Sequence, residues 1–297
     1  MPGPVAIPPQ LLDGPFTLAR ADELGVSRKV LRGGRFWTPI AGVRAAVALP
    51  DSLELRARSV LLLAPHVTFS HLTAARLCRL PVPGSVAGAG AADPIEVSCV
   101  RGPVRHRGVR GHQVDVDPDV QVVGGLPVTS GARTWADLAP RLGLDDLVVL
   151  GDAVLRHGWA DLVELTAMAA RPGRRGARRM RAAIPLLEPR TDSPMETRLR
   201  LLLVRAGLPR PQAGHDVVVD GAWLARPDLS YPALRIAIEF DGDHHRTSRA
   251  QWQRDIGRRR SLEDAGWLLI VVTADDVLRH PEALVERVRR AVVSRAA

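Results

Sequence analysis

Two apolar runs near the C-terminal end of the sequence constrain the fold more than any other feature. "LRIAIEF" (Leu234 to Phe240) and "WLLIVVT" (Trp267 to Thr273) have strand length, are almost continuously apolar and are rich in β-branched residues. That is the pattern of strands covered on both faces. Between them lies "SRAQWQRDIGRRRSLEDAG", helical in period and closed by Gly266. A strand, a helix and a second strand predict a right-handed crossover with the two strands parallel. Upstream, "HDVVVDGAWLARPDLS" reads as a hairpin turning at Asp220-Gly221. "SPMETRLRLLLVRAGL" reads as a helix. Ser193 suits its N-cap, Pro194 its first position and Glu196 the closing place of an S-x-x-E capping box, and Gly207 stops it. A last helical stretch starts at Asp275 or Asp276. The predicted order over residues 188–297 is αβββαβα.

The strand Leu234 to Phe240 runs into "EFDGDHH". Residues two apart on a strand face the same side, so Glu239 and Asp241 point together while Ile236, Ile238 and Phe240 fill the other face. Asp228 ends the preceding hairpin strand, and it lies near the other two only if that strand bends away there. Carboxylates held close repel, and one takes up a proton unless a cation neutralises them. A donor set made of oxygens suits a hard divalent ion, Mg²⁺ or Mn²⁺. Each residue also has a plain structural reading: Glu196 as a helix cap, Asp241-Gly242 as a turn, and His244 and His245 as solvated loop residues. The sequence has no G-x-x-x-x-G-K-[ST] phosphate loop and no H-E-x-x-H.

"MEXXLRXXL", "RPDL", "IAIEFDGDHH", "RDxxRRRxLxxAGW" and the strand exit "VVTADDV" together resemble the uncharacterised group related to very-short-patch-repair (Vsr) endonucleases. That group lies within the PD-(D/E)XK nucleases. The resemblance spans about Ser193 to Val293 and implies a restriction-endonuclease-like fold hydrolysing DNA phosphodiesters with Mg²⁺ or Mn²⁺. It implies Asp228 and Glu239 as metal ligands, with Glu196 as a helper from the first helix and His244 or His245 beside the metal. The motif lysine is replaced by Asp241, which can ligate metal or act as a base but cannot donate as an ammonium does. Lys29 is the only lysine in the chain.

At the other end, "FTLARADELGVSRKVLRGGRFWTPIAGVRA" follows a lead-in over residues 1–15. Thr17 can cap a helix through Leu24, Gly25-Val26 can turn, and Ser27 can cap a second helix that Gly33-Gly34 stops. Phe36 to Thr38 and Gly42 to Arg44 read as a small hairpin. Helix, turn, helix, hairpin over residues 16–50 is the plan of a winged helix-turn-helix. It places Arg28, Lys29, Arg32 and Arg35 where phosphates of DNA can be met, or on a solvated basic face. Residues 51–187 read as a mixed α/β region. In it, Arg171, Arg174, Arg175, Arg178, Arg179 and Arg181 crowd either a phosphate-binding patch or a solvated linker. This start, with "HVTFSHLTAARL" and "VTSGARTWADLAPRLGLDDLVVLGDAVLRHG", resembles DNA-binding antitoxins of the AbiEi type over about Phe16 to Gly158. That resemblance implies DNA binding and no catalytic residues.

The whole chain is therefore expected in the α/β (α+β) class. A net charge of +9, almost all of it arginine, favours an anionic partner such as DNA. Two cysteines without C-x-x-C spacing, and neither a basic-then-apolar leader nor a long apolar run, lead to a cytoplasmic expectation without membrane contact. The expected function is a metal-dependent DNA endonuclease or nickase. The alternative is an antitoxin-like transcriptional regulator with an inactive nuclease-like domain.

Overall fold

The computed structural model describes residues 6–83, 93–100, 102, 104–115, 119–241, 257 and 259–297. The chain divides into two compact units, one of Met1–Leu142 with Val163–Ala177, the other of Gly143–Leu162 with Arg178–Ala297. Both mix helices with sheets.

The first unit opens with β1 (Phe16–Thr17), α1 (Leu18–Glu23), α2 (Arg28–Leu31), β2 (Phe36–Trp37) and β3 (Val43–Ala46). The strands form one antiparallel sheet in the order β1-β3-β2. Thr17 caps α1 by accepting the amide of Arg20 at 3.2 Å, and Gly25 turns the chain at φ 73°. Ser27 stands at the N-cap of α2, but its hydroxyl makes no capping bond. Phe16 and Phe36 meet edge to face at 5.5 Å over Ala21, Val26 and Leu31. Next come α3 (Leu53–Leu63), β4 (Thr68–Phe69), α4 (His71–Leu77), β5 (Ile95–Cys99), β6 (Val109–Gln113), β7 (Val120–Val123), β8 (Leu126–Thr129) and α5 (Gly131–Leu138). These five strands build a mixed sheet in the order β6-β5-β4-β8-β7, with β5–β6 and β4–β8 parallel. The chain leaves this unit for α6 (Leu144–Arg156), returns with α7 (Leu162–Ala170) and leaves it again within α8 (Ala177–Ala183).

The second unit continues with α9 (Pro194–Arg205), β9 (Gln212–Ala213), β10 (Val217–Val219), β11 (Ala222–Ala225), β12 (Leu229–Tyr231) and β13 (Ile236–Asp241). After helical residues 259–264 it ends with β14 (Leu268–Thr273), α10 (Ala274–Leu278) and α11 (Pro281–Ala296). The main sheet runs β14-β13-β12-β9. β13 and β14 are parallel, in register from Ile236↔Leu268 to Asp241↔Thr273, as the two apolar runs require. One face of the sheet carries Ile236 and Ile238 against Leu199 and Leu203 of α9 and Leu284 and Val288 of α11. The other carries Ala237 against Val217 and Ala225 of the β10–β11 hairpin, with Leu262 and Trp267. That second burial explains why β13 reads as an unbroken apolar run.

The hairpin turns where the sequence says, with Asp220 at φ 49° and Gly221 at φ 80°, the two positive angles of a tight two-residue loop. It differs from the reading in its partner. β10 and β11 form a two-stranded sheet of their own, and the segment "AWLARPDLS" is two strands rather than one. Pro227 has no N–H to continue the ladder, and the chain breaks there. Gly214 holds the corner. Its amide donates to Asp228 O at 3.1 Å and its carbonyl accepts Arg226 Nε at 3.1 Å. Gly214 sits at φ 52°, and a Cβ there would lie 2.9 Å from Arg226 Nη2 and 3.0 Å from Arg190 O. Gly214→Ala is therefore expected to cost about 1–3 kcal/mol through left-handed strain and crowding. A thermal melt checks this, and an unchanged midpoint would mean that the corner is soft.

Candidate functional site

The bend at Pro227 decides where the carboxylates meet. β12 pairs antiparallel with β13 through Leu229↔Ile238, Ser230↔Ala237 and Tyr231↔Ile236. The recorded register ends at Leu229↔Ile238, and its continuation by one residue would set Asp228 across from Glu239, where opposed residues of an antiparallel pair share a face. Asp228 also takes over the ladder at that point. Its Oδ2 accepts the amide of Phe240 at 2.7 Å, where a straight strand would present a backbone carbonyl. Glu239 is buried, at 6% exposure, on the Ala237 side of the sheet. Asp241 is two residues on, on the same side, and like Asp228 it is half-buried. A buried carboxylate is thus flanked by two that solvent reaches.

Asp228, Glu239 and Asp241, all oxygen donors, are thus ordered along one side of the sheet. Among the described residues, no three histidine, cysteine or carboxylate side chains stand close enough to hold an ion. In chemistry Asp228 and Glu239 suit a hard divalent cation, as two oxygen ligands of a set that needs more. His244 and His245 lie outside the described residues.

Glu196 is taken up by its own helix. Its amide donates to Ser193 Oγ at 3.2 Å, and its Oε2 accepts the amide of Asp192 at 2.6 Å, one residue before the N-cap that the capping-box reading assigns it. Burial pushes the Glu196 carboxyl up from its ordinary range, opposed by the Asp192 amide and the Ser193 hydroxyl. In the first unit, Arg28, Lys29, Arg32 and Arg35 are all exposed, on and just after α2. Arg28 is paired with Asp22 at 2.8 Å.

Sequence reasoning missed the residues that brace the chain at Asp228. Gly214 and Arg226 are placed by contacts between segments, and neither carries a local signal. Pro227 did carry one, since a proline inside a strand-like run marks a break.

The C-terminal part of the chain is a restriction-endonuclease-like domain. The restriction-endonuclease-like family REase_MTES_1575 matches residues 215–292, the segment from the hairpin through most of α11. Two uncharacterized proteins of Mycobacterium tuberculosis, MT2308 and Rv2248, are each 31% identical to this chain over 184 residues, covering 62% of it and 68% of the relative. The chain belongs to the family of these mycobacterial proteins. No solved structure gives a significant match. Among the described residues, no helix is long and apolar enough to cross a membrane.

Proposed function

We propose that the protein is a metal-dependent DNA endonuclease or nickase, with the α1–α2 segment and its hairpin as a DNA-binding winged helix-turn-helix. The observation that carries this reading is the bond from the Phe240 amide to Asp228 Oδ2, which holds Asp228 at the end of the β12–β13 register next to the buried Glu239, inside the segment that matches a restriction-endonuclease-like family. Asp228 and Glu239 would hold Mg²⁺ or Mn²⁺, and Asp241 lies two residues further along the same side of β13. Such an ion lowers the pKa of a bound water and stabilises charge on a phosphoryl group. The chain's own part is to fix two ligands on rigid strands. The Phe240 amide orients Asp228, and burial dries the surroundings of Glu239. Arg28, Lys29, Arg32 and Arg35 would meet DNA phosphates.

A second reading rests on one residue. Asp241 occupies the place of the motif lysine, and the only lysine of the chain is Lys29. A nuclease-like domain without activity, in an antitoxin-like transcriptional regulator, accommodates that substitution. A plasmid-nicking assay separates the two. Relaxed plasmid that accumulates with Mg²⁺ or Mn²⁺ and not with EDTA supports the enzyme. Retardation of DNA by the protein with no metal-dependent relaxation selects the regulator.

A further inference from the structure

The first unit contains a polar cavity of about 470 Å³ that the proposed nuclease chemistry does not use. It is built from distant segments. Glu96 on β5 is 1% exposed and gathers Arg141 Nη1 at 2.8 and 3.0 Å, the Leu72 amide at 3.0 Å and His112 Nε2 at 3.4 Å. His112 on β6 stacks on His71, the first residue of α4, with ring centroids 3.7 Å apart and planes 15° from parallel. His71 adopts φ 52°, a left-handed conformation that a non-glycine residue keeps only where its surroundings dictate it. On α5, Asp137 Oδ1 accepts Arg133 Nε at 2.8 Å and Arg174 Nη1 at 3.3 Å. Gly176 clamps the loop bearing Arg174 and Arg175 against the end of α5. It sits at φ 82°, and a Cβ there would lie 3.0 Å from Ala139 and from Pro140 N.

Among the described residues the charges of the cavity wall do not balance. Arg133, Arg141, Arg174 and Arg175 line the cavity, and Glu96 and Asp137 answer two of these four positive charges. Burial, together with the neighbouring Arg133 and Arg171, pulls Arg174 below the ordinary arginine value against the pull of Asp137. Burial takes His71 down to about 4, so this imidazole is neutral at pH 7 and adds no charge to the stack. An anion would relieve the crowded guanidiniums. The Asp137 side chain is 6% exposed, and its Oδ2 has no hydrogen-bond partner among the described residues, with His71 Nδ1 at 4.0 Å beyond hydrogen-bond reach. A buried acceptor in that position calls for a donor. A ligand that answers both demands is an anion carrying a proton.

We propose that this cavity binds a protonated phosphate group, its oxygens held by Arg174, Arg175 and Arg133 and its P–OH directed at Asp137. Free phosphate carries that proton at pH 7.5, whereas the 5′-phosphate of a mononucleotide or of a nucleic-acid strand, whose second pKa is about 6, would have to take one up from solvent on binding. The site is independent of the C-terminal carboxylates. Sulfate has the same size and charge but no proton at pH 7.5, so it meets an unrelieved carboxylate.

Titration calorimetry on the full chain with EDTA present tests this. Inorganic phosphate is expected to bind at least about tenfold more tightly than sulfate, and about tenfold or more weakly to Arg174→Gln and to Arg175→Gln. Arg175 is exposed, so its variant keeps the test valid if Arg174→Gln misfolds. A 5′-mononucleotide against its nucleoside, and a 5′-phosphorylated against a 5′-hydroxyl oligonucleotide, then show which source supplies the group. Glu239→Gln, which disables the proposed nuclease site, should bind phosphate as the parent does. Absence of phosphate binding, equal binding of sulfate, or unchanged binding in both arginine variants would overturn the proposal.

Discussion

Glu239→Gln and Asp228→Asn are each expected to lower metal-dependent plasmid nicking by about 100-fold or more while leaving the fold intact. Both substitutions keep the size of the side chain and one carbonyl oxygen. In Asp228→Asn that oxygen can still accept the Phe240 amide, which the parent carboxylate accepts at 2.7 Å, so the junction of β12 and β13 survives. What is lost on the proposed reading is a negative ligand. A metal ion contributes several kcal/mol of charge stabilisation in phosphoryl chemistry. Each ~1.4 kcal/mol is a factor of ten in rate. Glu239 carries the larger share of this expectation because it is buried, and a fixed charge acts more strongly where water is excluded. The check is the initial nicking rate with saturating Mn²⁺, read beside a thermal melt. Rates within a few-fold of the parent, in variants that melt as the parent does, would remove Asp228 and Glu239 from the chemistry. A parent with no metal-dependent activity would point instead to the regulator.

The parts legible in the sequence are those fixed by short-range chemistry. The parallel pair β13–β14 follows from two apolar runs and the helix-length segment between them, and the hairpin from Asp220-Gly221. Thr17 and Ser193 announce the helices they cap. The break between β11 and β12 was only half-legible. Pro227 forbids a continuous ladder, but the new direction of the chain is set by Gly214, which grips the backbone of Asp228 and the side chain of Arg226. Nothing near Asp228 encodes that grip. The phosphate cavity was hidden for the same reason. His71, Glu96, His112, Asp137 and Arg174 come from five separate segments, and no two of them make a recognisable spacing. The sequence offered only the arginine cluster from Arg171 to Arg181 and the choice between a phosphate patch and a linker. The sheet and α5 bring two of those arginines, Arg174 and Arg175, to one cavity.

Arg200→Leu is expected to destabilise the second unit at pH 7 by about 3–5 kcal/mol, the cost of leaving a buried charge without its partner. Asp152 on α6 and Arg200 on α9 are each 1% exposed and lie 2.8 Å apart. Asp152 also accepts the Glu188 amide at 2.7 Å, Thr197 Oγ1 at 2.9 Å and Thr191 Oγ1 at 3.3 Å. Forty-eight residues separate the partners in sequence, so the pair ties α6 to the helix that floors the main sheet. Burial already pushes the Asp152 carboxyl up, and Arg200 is the largest influence holding it down. Removing Arg200 raises it further. A carboxyl whose folded pKa lies above its unfolded value favours folding when protonated. The deficit of the variant is therefore largest above its folded pKa and shrinks as pH falls through that pKa toward the ordinary aspartate range. Denaturant melts at pH 7 and pH 5 read this directly, with the parent as reference at each pH. The double variant Asp152→Leu/Arg200→Leu separates pairing from packing. Removing both charges is expected to recover much of the loss, because an apolar pair of similar volume is often as stable as a buried ion pair. If the double variant melts as low as Arg200→Leu alone, the arginine acts through the packing of its stem between α6 and α9, and the charge of Asp152 is already neutralised by the amide and the two hydroxyls.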